Sequence, residues 1–303
     1  MIDWRAASAL RQAFKLHLPF SYHRLNALAR AVLAVCQLRT VNLVSLAAVL
    51  NPRVKPSSNY TRLQRLIHDL PFDETDQAAI AHAITALLDL PERWILSLDR
   101  TTWYRGQTPI NLLVLAVVYQ GTAVPLFWKA LDKTGNSNTQ ERKHLLQRFL
   151  DTFGAGRIHH LLADREFLGE DWLAWLAHQH IPFIIRLKHN LQVDTPEGPV
   201  AVRTLFDDLE RGKTCTLRQP RRLLGQDLFL SAKRLKDDTF VILAAPTPIP
   251  RALRQCLVRW AIERLFYAWK SGGFNLEDTH FTQPHRVERL VVLVALASAW
   301  AIR

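Results

Sequence analysis

Two acids close short apolar runs: Asp99 ends "WILSLD" and Asp164 ends "HHLLAD". A third, Glu263, lies in "RWAIERLFYAWK", four residues after Arg259 and seven before Lys270. Carboxylates are hard oxygen ligands, and without a His/Cys cluster they favour Mg²⁺ or Mn²⁺ over zinc. Two such ions, about 3.5–4 Å apart, activate a nucleophile on one side of a phosphate and steady the leaving oxygen on the other. Cations flanking the third acid are suited to holding phosphates.

Each of these residues has an ordinary use as well. An Asp directly after a buried strand is a common cap or turn former. With about 100° per helical residue, Arg259, Glu263 and Lys270 share a wedge of about 40° opposite Leu257, Ala261, Leu265 and Trp269. Taken alone, that wedge reads as the wet side of an amphipathic helix, its Arg–Glu pair contributing a few tenths of a kcal/mol. What separates the readings is the set of elements that positions the three acids.

Residues 1–88 read as helical and basic, with apolar residues at helical spacing through "LNALARAVLAVCQLRTVNLVSLAAVL". "NPRVKPSSNY" breaks the pattern, and Ser58 or Asn59 is the expected N-cap of a helix through "YTRLQRLIHDL" that carries Arg62 and Arg65. Helix, basic loop and basic helix fit a DNA-binding unit; a small bundle with a basic solvated side fits equally. From Trp94, "RWILSLDRTTW", "INLLVLAVVYQ" and "AVPLFWKAL" read as three strands of an antiparallel meander, turning near Gly106 and Gly121. "TGNSNTQERKHLLQRFLDTFG" reads as a helix with Ser137 as N-cap, Gln140 as its box partner and Gly154 at the far end. A strand, "RIHHLLADREF", a helix, "GEDWLAWLAHQH", and a strand, "IPFIIRLK", follow. The order β-β-β-α-β-α-β is that of a mixed sheet layered by helices, with parallel crossovers that make the Asp99 and Asp164 strands neighbours. Ligands are met at such strand ends. Residues 189–245 read as a basic antiparallel β insertion, and "PTPIP" leads from it into the Glu263 helix.

Composition narrows the partner. The chain of 303 residues carries 39 Lys+Arg against 27 Asp+Glu, a net charge of +12. Such an excess suits a polyphosphate, although ribosome, anionic lipid or acidic protein would also fit. Three cysteines, Cys36, Cys215 and Cys256, form no C-x-x-C pattern, which argues against a disulfide framework or a structural zinc site. Acidic and basic residues stand near the N-terminus where a signal peptide needs an apolar run. The longest uncharged apolar segment, Leu290 to Ile302, falls short of the roughly 20 residues of a spanning helix. A cytoplasmic protein that does not enter membranes is expected.

The combined pattern resembles the DDE transposases of bacterial insertion sequences, in the subgroup with a β insertion inside an RNase H-like domain. That subgroup's pattern around its glutamate is Y-x2-R-x3-E-x6-K, and Arg259, Glu263 and Lys270 stand at those spacings. Trp260 and "IERLF" are similar to the usual flanking text, while Cys256 occupies the tyrosine position. "SLDRTTW" around the first acid, "GNSNTQERKHLLQRFL" after it and "LLADREF" around the second extend the likeness over residues 90–300. The resemblance implies an RNase H-like α/β catalytic domain over 89–303, interrupted by the 189–245 insertion and preceded by the helical domain of residues 1–88. It implies that Asp99, Asp164 and Glu263 bind two Mg²⁺ (or Mn²⁺) ions, and that Arg165, Arg259 and Lys270 contact DNA. Cleavage would free a 3′-OH at the transposon end, which in relatives forms a hairpin with the opposite strand before strand transfer. The partners implied are double-stranded DNA, as terminal inverted repeats and as target, and a second copy of the chain; the compartment is the bacterial cytoplasm, at the nucleoid when acting. A thiol at 256 lacks a phenol's reach, which puts one phosphate contact in doubt. An RNase H-like nuclease without transposition and a catalytically idle DNA-binding derivative are the alternatives.

Other residues receive structural readings. His159 and His160, adjacent on a strand, should face opposite sides. Trp172 and Trp175 lie on an apolar helix face and should be core, while Phe206 and Phe229 are the aromatic candidates for base stacking within the insertion.

Overall fold

The computed structural model describes residues 3–249, 251–270 and 272–303. Five helices come first: α1 (Trp4–Lys15), α2 (Tyr22–Leu38), α3 (Leu43–Leu50), α4 (Pro56–His68) and α5 (Glu74–Thr85). The strands β1 (Trp94–Arg105), β2 (Thr108–Tyr119) and β3 (Thr122–Ala130) follow, then α6 (Thr139–Phe153), β4 (Ile158–Ala163), α7 (Glu170–His178) and β5 (Phe183–Arg186). The next stretch holds β6 (Gln192–Thr195), β7 (Gly198–Ala201), β8 (Thr214–Thr216), β9 (Arg221–Leu223), β10 (Gln226–Arg234) and β11 (Phe240–Ala245). Three helices end the chain: α8 (Ala252–Leu257), α9 (Trp260–Trp269) and α10 (Pro284–Ile302).

The fold is mixed α/β, with a nine-stranded sheet in the order β3-β2-β1-β4-β5-β11-β10-β8 and β9 paired to β10. β2 and β3 are antiparallel around a two-residue turn in which Gln120 and Gly121 have φ of 48° and 75°. Positive φ at both turn residues matches the twist of a tight hairpin, and the glycine takes it without steric cost. β1 pairs β4, and β4 pairs β5, in parallel. Parallel neighbours need a crossover, which α7 supplies between β4 and β5. β11 joins β5 antiparallel and β10 joins β11, so strands from 189–245 continue the sheet, while β6 and β7 form a separate hairpin.

The chain clusters into two compact units. The first takes residues 1–91, 100–135 and 263–303. There, α10 packs against α2 and β3, with every residue from Leu290 to Ala299 buried. Trp128 Nε1 donates to the Glu288 carbonyl at 2.9 Å, and Glu288 Oε1 accepts from the Ala130 amide at 2.8 Å, so the helix start is fixed to the strand. Among the described residues no single helix is long and apolar enough to cross a membrane.

The second unit takes residues 92–99 and 136–262. Its strand faces carry α8, where Leu162, Ile184, Leu243 and Ala252 form an apolar cluster. The expected cap of α6 shifts by one residue: Asn138, not Ser137, accepts from the Glu141 amide, and Glu141 returns a bond to the Asn138 amide. Ser137 is buried and engaged elsewhere. Likewise α4 begins at Pro56, whose fixed φ suits a first turn, and Asn59 lies inside the helix as a buried donor to the Ala47 and Asn51 carbonyls.

Candidate active site

Asp99 and Asp164 are brought together by strand pairing. Leu98 is the parallel partner of Ala163, so Asp99, within β1, and Asp164, directly after the end of β4, both follow that paired position. Both side chains are only partly exposed, Asp99 at 15%. Arg259 supplies the countercharge: its Nη1 lies 3.4 Å from Asp99 Oδ2, and its side chain is 5% exposed. This corrects the wheel reading, which put Arg259 on a wet face. The reason is a break in the helix. α8 ends at Leu257 and α9 starts at Trp260, so Leu257 is 62% exposed while Arg259 turns inward. Beyond the break the wheel holds, with Ala261, Leu265 and Trp269 buried.

Asp164 differs from Asp99 in its partners. Its Oδ1 is buried and accepts no hydrogen bond. A buried carboxylate oxygen without a donor calls for a cation or its equivalent. Two neighbouring carboxylates, one with an unsatisfied oxygen, are a donor set of the type that hard divalent ions take. Among the described residues, no group of three or more His, Cys, Asp or Glu is gathered as a ready metal site.

Cys256, at the position of the expected tyrosine, packs against the Leu162–Ile184–Leu243–Ala252 cluster. Burial pushes its thiol above the ordinary value; the Arg259 and Arg186 cations pull it down and the Asp164 carboxylate pushes it up. The thiol is therefore neutral at pH 7 and sits within the field of the aspartate site. Arg186, at the end of β5, carries no motif or spacing in the sequence that marks it as a charge near Cys256. Arg165 follows Asp164 directly and is exposed.

Glu263 and Lys270 belong to the first unit. Glu263 lies in the first turn of α9 and is exposed, and Lys270 Nζ donates to the Thr102 carbonyl at 2.6 Å. Arg264 donates to the Gly121 carbonyl. The first unit also holds a cleft of about 510 Å³ between α2 and α4, lined by Arg24, Arg30, Arg62 and Arg65, with Asp69 as its acid.

Trp172 is buried, and Trp175 stacks on it at 5.5 Å. Phe206 is 3% exposed and so is core, not a stacking platform, whereas Phe229 is partly exposed. His159 and His160 do not part: their rings lie 3.9 Å apart with Nδ1 and Nε2 at 2.8 Å, at a point where the β1–β4 register shifts from Trp94–Ile158 to Ile95–His160 and strict alternation is interrupted.

A family model for the transposase DDE domain matches residues 90–300. The chain belongs to the DDE transposase family. The match takes in Asp99, Asp164 and Glu263, along with Arg165, Arg259 and Lys270, and makes the protein a DNA transposase. Among solved structures this transposase is similar to a piggyBac transposase synaptic complex with hairpin DNA seen by cryo-EM. The likeness has a TM-score of 0.48 at 9% identity, over 98% of this chain and 73% of that one. Comparison with curated proteins finds no match.

Proposed function

We propose that this transposase cuts DNA at the ends of a mobile element and joins those ends to a target, with Asp99, Asp164 and Glu263 as its metal-holding carboxylates. The unsatisfied Oδ1 of Asp164, beside Asp99 on the neighbouring strand, carries this reading. Asp99, Asp164 and Glu263 would hold one or two Mg²⁺ or Mn²⁺ ions. When bound, such ions supply Lewis-acid stabilisation of charge on a reacting phosphate. In the first step a water oxygen bonds to phosphorus at the element's end, and the 3′-oxygen leaves as a hydroxyl. In the second, that 3′-hydroxyl attacks a target phosphodiester, forming the new bond and releasing the target's own 3′-hydroxyl.

The protein's cations do the remaining work. Arg259 places a positive charge 3.4 Å from Asp99 in a site with little exposure, a countercharge that is in place before any ligand arrives. Arg165 and Lys270 are the further residues assigned to DNA phosphates. The arginines of the α2–α4 cleft are a separate set of phosphate contacts, which gives the helices of residues 1–88 a DNA-binding role. The RNase H-like description, the Y-x2-R-x3-E-x6-K subgroup, the 189–245 segment as an insertion and a homodimer on paired ends complete the reading.

The test offers the protein two DNA substrates of equal length, one with paired terminal inverted repeats and one scrambled, plus a target plasmid and Mg²⁺. Joined products from the repeat-bearing DNA alone are expected. Equal cutting of both without joined products would make the protein a plain nuclease.

A further inference from the structure

A buried arginine outside the acidic motifs ties down the segment that follows Asp164. Arg142, in the first turn of α6, is 5% exposed. Its Nε donates to Ser137 Oγ at 2.9 Å, and its Nη2 donates to the Ser137 carbonyl and to the Glu166 carbonyl, the latter at 3.0 Å. Nη1 reaches the Leu168 carbonyl at 3.4 Å. Between those two carbonyls Phe167 is fully buried, with the guanidinium carbon 5.1 Å from its ring centre. The Phe167 amide in turn donates to the Asp164 carbonyl at 2.9 Å. Asp164, the turn after it and the start of α6 are thus joined through one planar group.

The Asp164 carboxylate oxygen Oδ1 accepts no hydrogen bond that would aim it. Its direction then follows from the backbone of residues 164–168, and that backbone is held by Arg142. We propose that Arg142 is a positioning residue for Asp164, setting the carboxylate for metal through the loop rather than by touching it. A guanidinium suits the task because its fixed fork serves several carbonyls at once, which a lysine ammonium on a flexible stem does not. Outer partners that orient metal ligands typically change metal affinity or activity about 10–100-fold when lost.

This inference rests on the reading of Asp164 as a metal ligand, and the experiment separates the two. Binding of Mn²⁺ alone to the full chain, without DNA, is measured from the electron paramagnetic resonance signal of free Mn²⁺. Wild type, Arg142→Lys, Ser137→Ala and Asp164→Asn are compared, with a thermal melt of each in EDTA. Arg142→Lys should bind Mn²⁺ about 10–100-fold more weakly. Ser137→Ala, which removes only one acceptor, should show a smaller change in the same direction. Unchanged Mn²⁺ affinity in both variants overturns the inference even where their melting points fall, since a merely structural role moves the melt alone. If Arg142→Lys does not fold, Ser137→Ala decides by itself. If Asp164→Asn binds Mn²⁺ as wild type does, the ligand reading fails, and the inference falls with it.

Discussion

Replacing Arg259 with Met keeps the bulk of the side chain and removes the charge that faces Asp99. At the observed 3.4 Å, and with an effective dielectric of about 20, the Coulomb attraction is about 5 kcal/mol. Desolvation of both groups offsets part of that gain, because Arg259 is 5% and Asp99 15% exposed. Removing one partner exposes the cost of the other, so Arg259→Met should destabilise by about 3–5 kcal/mol. Asp99→Asn should also destabilise, by leaving a buried guanidinium beside a neutral amide. The double variant leaves neither charge stranded, and its loss should fall short of the sum by about 2 kcal/mol or more. The cycle is read from urea midpoints in EDTA at unchanged slope. A coupling below about 0.5 kcal/mol would refute the claim that Arg259 is the countercharge of Asp99.

Burial, helped by His159, holds the His160 imidazole down at about 4, so the folded chain excludes a proton that the unfolded chain takes up below about pH 6.5. Stability should therefore be full above about pH 6.5 and fall by up to about 3 kcal/mol as pH drops toward 4; denaturant midpoints of His160→Gln should lack this component, and parallel pH profiles would contradict it. Asn59→Ala should cost about 2–3 kcal/mol by the same measurement, since it strands the Ala47 and Asn51 carbonyls of a buried site. Arg62→Gln with Arg65→Gln should lower the slope of log affinity against log salt for DNA by about 2, near 0.9 per lost phosphate contact, and an unchanged slope would remove the cleft from the DNA path.

The strand runs and the acids at their ends were legible because apolar patterning and chain order suffice to pair β1 with β4. The break between α8 and α9 was not. No proline or glycine marks Val258–Arg259, and the apolar period runs on through it, so only tertiary packing reveals that Arg259 faces inward. Arg142 gives no signal in the sequence, since its acceptors are carbonyls, which sequence patterns do not display. The one-residue slip from Ser137 to Asn138 has the same origin: both residues cap helices well, and Ser137 was already engaged by Arg142. The ring contact of His159 with His160 falls where the β1–β4 register shifts, an interruption of strand alternation that leaves no mark in the sequence.

The central claim, that Asp99, Asp164 and Glu263 together serve metal-dependent strand cleavage, is tested most directly by single-turnover cutting of repeat-bearing DNA in Mg²⁺. Wild type is compared with Asp99→Ala, Asp164→Ala and Glu263→Ala. Each variant should lose at least about 100-fold in rate, about 3 kcal/mol of transition-state stabilisation, while still binding the DNA. Cleavage by any one of the three at the wild-type rate, or wild-type cleavage undiminished in EDTA, would contradict the account.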